Sequence, residues 1–209
     1  MLPTLETVRR AYPKPDYTQD YLVESLVRIH AYTHQIDVNG RAVAALGTGA
    51  GVEAAYMRAR RAQVTVVDNE VYAYDPRFKP IQELFEGTVY IQDNIQHWIS
   101  DVPDKTFDLV FAFNAVEAFM SELNNALFEQ KQTTFPQELR RILRLGGVFL
   151  FSGDYPPDLK EMYPLVATRV IPDYEGIKDE VAAIPTLADA YWFLTTHEYY
   201  KYLRAEQSK

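Results

Sequence analysis

The stretch "RAVAALGTGAGVEAAYMRARRAQVTVVD", residues 41–68, contains the elements that decide the fold. The apolar run 42–46 predicts a short strand, and the β-branched segment 63–68 predicts a second one. Between them, residues 52–61 predict a helix with arginines near its negative end. The turn that joins the first strand to this helix contains three glycines at alternate positions, Gly47, Gly49 and Gly51. Together these elements predict a βαβ unit with parallel strands.

The glycine-rich turn predicts a ligand site. In an open parallel sheet, ligands bind beyond the carboxyl ends of the strands. Glycines there let a ligand approach the backbone, and the helix that begins near Gly51 offers free N–H groups to a carboxylate or phosphate. Asp68 ends the second strand, where a carboxylate can accept the hydrogens of both ribose hydroxyls. The turn and this acid together predict a cofactor that contains a nucleoside.

The alternation of strands and helices continues along the chain. Further strands are predicted at 87–93, 107–113 and 148–154, and further helices at 18–36 and 133–143. Thr134 and Gln137 form a capping-box pattern at the start of the last helix, and Gly146-Gly147 is expected to end it. Two late apolar segments, 165–171 and 190–195, predict an antiparallel edge. The sequence therefore predicts an α/β fold with a doubly wound, mostly parallel seven-stranded sheet and an antiparallel C-terminal edge hairpin.

Length and composition indicate a single globular domain. The chain has 209 residues, of which 47% are hydrophobic and 24% are charged. We expect one domain over 1–209, with an N-terminal helical segment (1–37), a cofactor-binding core (40–153), and C-terminal strands and a helix (154–209). The absence of cysteine excludes disulfides and thiolate metal sites.

The charge of the chain disfavours an anionic partner. The formal net charge is -8, which argues against nucleic acid or an anionic membrane as the main partner. No apolar stretch approaches the length of a membrane span, and the N-terminus does not read as a secretion signal. We therefore expect a cytoplasmic protein that needs neither nucleic acid nor a membrane.

The spacing of the glycines distinguishes two cofactors. A nicotinamide dinucleotide site prefers G-x-G-x-x-G, but here Val52 follows Gly51 directly, which disfavours an NAD-dependent oxidoreductase. The G-x-G-x-G pattern resembles the first motif of class I S-adenosylmethionine-dependent methyltransferases. The resemblance extends over most of 40–153, through "VTVVD", "YIQDNIQHW", "FDLVFAFNAVEAF" and "ELRRILRLGGVFLFS".

The resemblance implies S-adenosylmethionine as cofactor, no metal, and a set of binding residues. Asp93 corresponds to the acid that contacts the adenine amino group, with Asn94 beside the ring. The cofactor-binding residues implied in this way are Gly47, Thr48, Gly49, Gly51, Asp68, Asn69, Asp93, Asn94 and Asn114.

Two departures from the family pattern bear on activity. Members usually carry an acid two residues before the first glycine, to hold the cofactor's amino group, but this chain has Ala45. Glu53 is a candidate to replace this acid. The alternative is that Glu53 faces solvent from its position in the helix. The histidine that follows Glu117 in many small-molecule members is replaced by Ala118.

Three histidines and one acid are the side chains to consider for acid–base or metal chemistry. The candidates for a general base in methyl transfer are Glu117, His97 and one of the tyrosines. The alternative for Glu117 is an acid at the start of a helix, and the alternative for His97 is a packed or surface histidine. His30 and His34 are four residues apart on one helix, but no third metal ligand is near, so a solvated face is predicted.

The favoured function is methyl transfer to an oxygen or nitrogen of a small-molecule acceptor. The alternative is a catalytically impaired methyltransferase-like protein that acts as a binding or scaffold subunit. The tyrosine-rich C-terminus suggests a homodimer contact or an aromatic pocket.

Overall fold

The computed structural model describes residues 19–33, 36–70, 79–113 and 133–152, together with Thr7 and Arg10. Within the four continuous ranges, the structure has the helices α1 (Gln19–Thr33), α2 (Val52–Ala59), α3 (Lys79–Phe85), α4 (Ile95–Asp101) and α5 (Phe135–Ile142). The five strands of the same ranges are β1 (Ala42–Leu46), β2 (Gln63–Asp68), β3 (Val89–Gln92), β4 (Phe107–Phe113) and β5 (Leu143–Ser152).

These strands form one parallel sheet in the order β3-β2-β1-β4-β5. The central strand β1 pairs with β2 from Ala42↔Gln63 to Leu46↔Val67, and with β4 from Val43↔Leu109 to Ala45↔Phe111. The strand order therefore reverses between β1 and β4. In such a sheet the crevice at the carboxyl ends of these two strands is the expected ligand position.

Helices cover both faces of the sheet, as a doubly wound fold requires. On β1, the alternate residues Val43 and Ala45 pack in the core formed with α1, α2 and α3. Ala44 and Leu46 point the other way and pack in the core formed with α4 and α5. Because both faces are buried, β1 reads as a continuous apolar run rather than an alternating one.

The start of α5 confirms the capping-box prediction. The Thr134 hydroxyl accepts a hydrogen bond from Gln137 N at 3.4 Å, and Gln137 Oε1 accepts one from Thr134 N at 2.8 Å. These reciprocal bonds satisfy two N–H groups that the first helical turn would otherwise leave without a partner.

The predicted end of this helix is wrong. Helix α5 ends at Ile142, and β5 begins at the next residue, so Gly146-Gly147 lies within the strand. Phe107 of β4 pairs with Leu143, whereas Leu109 pairs with Val148, so β5 carries extra residues at this point. Gly146 has φ +79°, which accommodates the bulge. The two glycines therefore serve a bulge and not a helix stop.

The α/β class and the parallel sheet are confirmed, and the number of strands is confirmed only in part. The third strand is shorter than the predicted segment 87–93. The predicted hairpin strands at 165–171 and 190–195, and the whole segment 154–209 with its tyrosines, lie outside the described residues. The domain boundaries stay predictions.

Candidate functional site

The glycine-rich turn lies at the carboxyl end of β1 and leads directly into α2. Gly47, Gly49 and Gly51 have φ values of +62°, +52° and +82°, a region that disfavours residues with a side chain. Gly47 N donates to Val67 O at 2.8 Å, which extends the pairing of β1 with β2 into the turn. Gly51 is the N-cap of α2 and has no side chain to cap it. The first N–H groups of α2 therefore remain suited to an anionic ligand group.

Gly51 also has a packing role that the sequence did not indicate. A Cβ atom at this position would overlap the ring of Phe85, the last residue of α3. The Phe85 ring in turn makes an edge contact with Tyr90 of β3, with ring centroids 4.8 Å apart. The third glycine is thus required by the approach of α3 as well as by its own backbone conformation.

Asp68 connects the turn to the loops that follow β2 and β3. Its Oδ2 accepts a hydrogen bond from Gly49 N at 3.1 Å, and its Oδ1 accepts one from Glu70 N at 3.1 Å. Its backbone carbonyl accepts a bond from Asp93 N at 3.1 Å. The Asp68 carboxylate therefore fixes the turn, at the end of β2 where the resemblance implies a contact with a ribose.

The predicted adenine-contacting segment is arranged around Asp93. Asp93 Oδ1 accepts a hydrogen bond from Asn94 N at 2.7 Å, and Oδ2 lies 2.8 Å from His97 Nδ1. The Asn94 side chain caps α4, because its Oδ1 accepts a bond from Gln96 N at 2.9 Å. His97 is thus an exposed partner of Asp93, and it is not a packed histidine.

The remaining predicted site residues fall into two groups. Asn69 is exposed beside Asp68, and the Thr48 hydroxyl is buried without a hydrogen-bond partner in the part of the chain that the structure describes. Asn114 and Glu117 lie outside the described residues. The methyl-transfer end of the site, where both were predicted, is therefore not described.

Ala45 and Glu53 lie on the same side of the sheet. Ala45 is fully buried in β1, and Glu53, in the first turn of α2, is only 5% exposed. The solvent-facing alternative for Glu53 is therefore wrong. Burial raises the pKa of Glu53, while its own backbone N–H, the Ser25 hydroxyl and the Arg28 guanidinium act in the opposite direction.

Polar side chains also line the contact between α1 and α2. They form three pairs along the two helices, Ser25/Glu53, His30/Tyr56 and Thr33/Arg60. His30 is buried, and its Nδ1 lies 2.5 Å from the Tyr56 hydroxyl, so the predicted solvated face is wrong for this histidine. This contact depends on the packing of two helices that are distant in sequence. The periodicity within a single helix contains no signal for it.

The described ranges contain neither a membrane-spanning helix nor a metal-binding cluster. No helix in them is both long enough and apolar enough to span a bilayer. No group of three His, Asp or Glu side chains in the same ranges is arranged to bind a metal ion.

Comparison with known proteins identifies the family. The family model described as "methyltransferase domain" matches residues 44–151 of the sequence. This is a little more than half of the chain, so the chain belongs to the methyltransferase-domain family. S-Adenosylmethionine is accordingly the cofactor that this family match indicates. No curated protein matches the chain.

Solved structures resemble the chain more distantly. A SAM-dependent methyltransferase from Aquifex aeolicus is 13% identical with a TM-score of 0.48, and the match covers 77% of this chain and 86% of that one. One from Archaeoglobus fulgidus is 17% identical with a TM-score of 0.44, covering 59% of this chain and 49% of that one. L-Idonate 5-dehydrogenase from Escherichia coli is 17% identical with a TM-score of 0.40, covering 66% and 36%. The chain thus spans about half the length of the Archaeoglobus protein, and similarity this low carries no argument about activity.

The described residues fit S-adenosylmethionine in their chemistry. The buried Thr48 hydroxyl lacks a partner within the described ranges, in a turn whose glycines permit close approach. Asp68 ends β2 and Asp93 follows the neighbouring strand β3, and a backbone hydrogen bond joins the two residues. The turn would receive the middle of the cofactor, Asp68 its ribose and Asp93 its adenine.

Proposed function

We propose that the protein transfers a methyl group from S-adenosylmethionine to an oxygen or nitrogen atom of a small-molecule acceptor. The observation that supports this most is the bonding of Asp68 to Gly49 N in the turn and to Asp93 N after β3. These bonds support the proposal because they hold Asp68 and Asp93, the proposed acceptors for the ribose and the adenine amino group, beside the glycine-rich turn. A small acceptor is favoured over nucleic acid by the net charge of -8.

The chain's own residues mainly bind and orient in this function. Bound S-adenosylmethionine supplies a methyl group already activated by its positive sulfur. The protein must then place the acceptor atom against that methyl group and keep water away. His97 pairs with Asp93 at the predicted adenine end, so we assign it to cofactor binding and not to proton removal. Glu117 remains the candidate base for an acceptor that has to lose a proton.

A second candidate function is a binding or scaffold subunit without turnover. It is favoured by Ala45, because the usual acid at this position would hold the cofactor's amino group. Loss of one charge-assisted hydrogen bond costs about 1.5–3 kcal/mol. Such a loss weakens cofactor binding but does not by itself remove activity.

The first test is a calorimetric titration with S-adenosylhomocysteine and with NAD. We expect a dissociation constant in the micromolar range for S-adenosylhomocysteine, and no comparable binding of NAD. Gly49→Ala should reduce the affinity at least tenfold. Gly40→Ala is the matched control, because Gly40 also has a positive φ, of +69°, but no atom lies within 4 Å of its added Cβ. Both variants should lose about 1–2 kcal/mol of stability from backbone strain, and only Gly49→Ala should lose the ligand. Binding of NAD in preference would overturn the proposal.

The second test follows a labelled methyl group into separated cell fractions. Label in the small-molecule fraction is the expected result. Label in protein or nucleic acid would overturn the small acceptor while leaving methyl transfer in place. Cofactor binding without transfer to any fraction would favour the binding-subunit alternative.

A further inference from the structure

An acid and two hydroxyls lie buried around the amino end of α2. Glu53 is 5% exposed and Ser25 is 2% exposed. The hydroxyls of Ser25 and Thr48 have no hydrogen-bond partner among the described residues. The Ser25 hydroxyl faces the Glu53 carboxyl and acts to lower its pKa, against the larger effect of burial. Buried polar groups of this kind require an explanation, and an absent ligand is a standard one.

The direction of the helices places these groups at the ligand edge of the sheet. Ser25, His30 and Thr33 of α1 face, in the same order, Glu53 and Tyr56 of α2 and Arg60, the C-cap of α2. The two helices therefore run in the same direction, with their amino ends together. Helix α2 begins directly after the glycine-rich turn. Ser25 and Glu53 are thus near the carboxyl end of β1, and away from the opposite edge of the sheet.

The same region lacks the acid that would normally receive the cofactor's amino group. Ala45 is the second-last residue of β1, and its side chain belongs to the core that α1 and α2 form. A carboxylate that approaches from α2 therefore lies on the same face as the missing one. An ionised carboxylate in a buried position is costly unless a cation pairs with it. An ammonium group is such a cation.

We propose that Glu53, together with the Ser25 hydroxyl, binds the ammonium group of the cofactor's amino-acid end in place of the acid that β1 lacks at Ala45. The uncapped N–H groups of α2 and the Thr48 hydroxyl are suited to the carboxylate of the same amino-acid end. The inference rests on the proposed function, since it assigns a residue to the same cofactor. The competing explanation is that Glu53 only stabilises the α1–α2 contact, with Arg28 as its cation.

Two ligands separate these explanations. S-Adenosylhomocysteine carries the amino-acid end, whereas 5′-methylthioadenosine has the same nucleoside without it. Glu53→Gln should weaken S-adenosylhomocysteine about tenfold, the worth of one charged hydrogen bond, and change 5′-methylthioadenosine less than twofold. Ser25→Ala should act in the same direction by a smaller factor. Glu86→Gln, which removes a carboxylate from an exposed position, is the matched control and should change neither affinity.

A rescue completes the design. Ala45→Asp in the Glu53→Gln background should restore most of the lost affinity for S-adenosylhomocysteine, because it returns an acid to β1. Unchanged affinity of Glu53→Gln for S-adenosylhomocysteine would overturn the inference, as would equal weakening of both ligands. Failure of the unsubstituted protein to bind either ligand would instead overturn the proposed function. The melting temperature of each variant shows that the affinity changes are not caused by unfolding.

Discussion

The Asp68 carboxylate is bonded to the backbone of Gly49, with 3.1 Å between Oδ2 and the glycine nitrogen. An acid expected to bind a ribose therefore also fixes the turn that the cofactor would cross. This dual role explains why the glycine-rich turn and the acid at the end of β2 together predict a nucleoside-binding site. A change at Asp68 should alter both the ligand contact and the shape of the turn.

Asp68→Asn should reduce stability and cofactor affinity at the same time. An amide group keeps one acceptor oxygen but presents an N–H group where either Gly49 N or Glu70 N donates now. We expect the free energy of unfolding in urea to fall by about 1–3 kcal/mol, the cost of leaving a buried group unsatisfied. Affinity for S-adenosylhomocysteine should fall at least tenfold by calorimetry. Asn69→Ala is the control, because Asn69 is exposed, and should leave stability unchanged. Unaltered stability of Asp68→Asn would contradict the structural half of this role.

Gly51→Ala should destabilise the protein through Phe85. The added methyl group has to adopt a positive φ and also overlaps the Phe85 ring. Strain of the backbone costs about 1–2 kcal/mol, and overpacking adds about 1–3 kcal/mol. Phe85→Leu should be less harmful in the Gly51→Ala background than in the unsubstituted protein, because it relieves the overlap. A double-mutant cycle in urea measures this coupling, and additive effects would show that the ring does not limit the position.

Glu53 should make stability fall as the pH rises. Burial raises its pKa in the folded protein above 4.5, the ordinary value, which we take for the unfolded chain. The folded state then binds more protons than the unfolded state once the pH exceeds the ordinary value. The contribution of Glu53 is therefore complete below about pH 4.5 and is lost as the pH rises through the raised pKa. Glu53→Gln does not titrate, so its stability advantage over the unsubstituted protein should grow from pH 4.5 towards neutrality. Parallel curves of unfolding free energy against pH for the two proteins would disprove this.

His97→Ala should weaken cofactor binding only slightly and leave the rate of methyl transfer unchanged. The His97 side chain is 59% exposed, and exposed pairs of this kind contribute about 0.2–1 kcal/mol. The KM for S-adenosylmethionine should therefore rise by less than about fivefold. Asp93→Ala should have a larger effect, because it removes the predicted acceptor for the adenine amino group. A fall in kcat with an unchanged KM would identify His97 as a catalytic residue after all.

Local patterns were sufficient for much of the sheet and the turn. The apolar run of β1 and the β-branched residues of β2 have the composition that their pleated, buried surroundings require. The capping box at Thr134 depends only on residues three apart, so it too could be predicted. The position of Asp68 at the end of β2 followed from the strand assignment. Each of these features is decided within a few residues of the chain.

Features that depend on distant contacts could not be predicted. The burial of His30 and Glu53 results from the packing of α1 on α2, and single-helix periodicity does not show which side meets another helix. Arg141 looks like an ordinary solvated cation, yet it donates to Asp104, to Glu138 and to the carbonyl of Ile99. The bulge of β5 was missed because Gly146-Gly147 is also a common signal for the end of a helix.

The bulge of β5 has a practical consequence for length variation in the chain. It lies at the start of the strand, near the edge of the sheet opposite the ligand turn, and Leu145 within it is fully exposed. Residues on either side of it keep their own pairing with β4. Inserted residues would therefore be absorbed there without changing the register of the strand beyond Val148. An affinity tag or a fluorescent label attached at this point would report on the protein from the side remote from its chemistry.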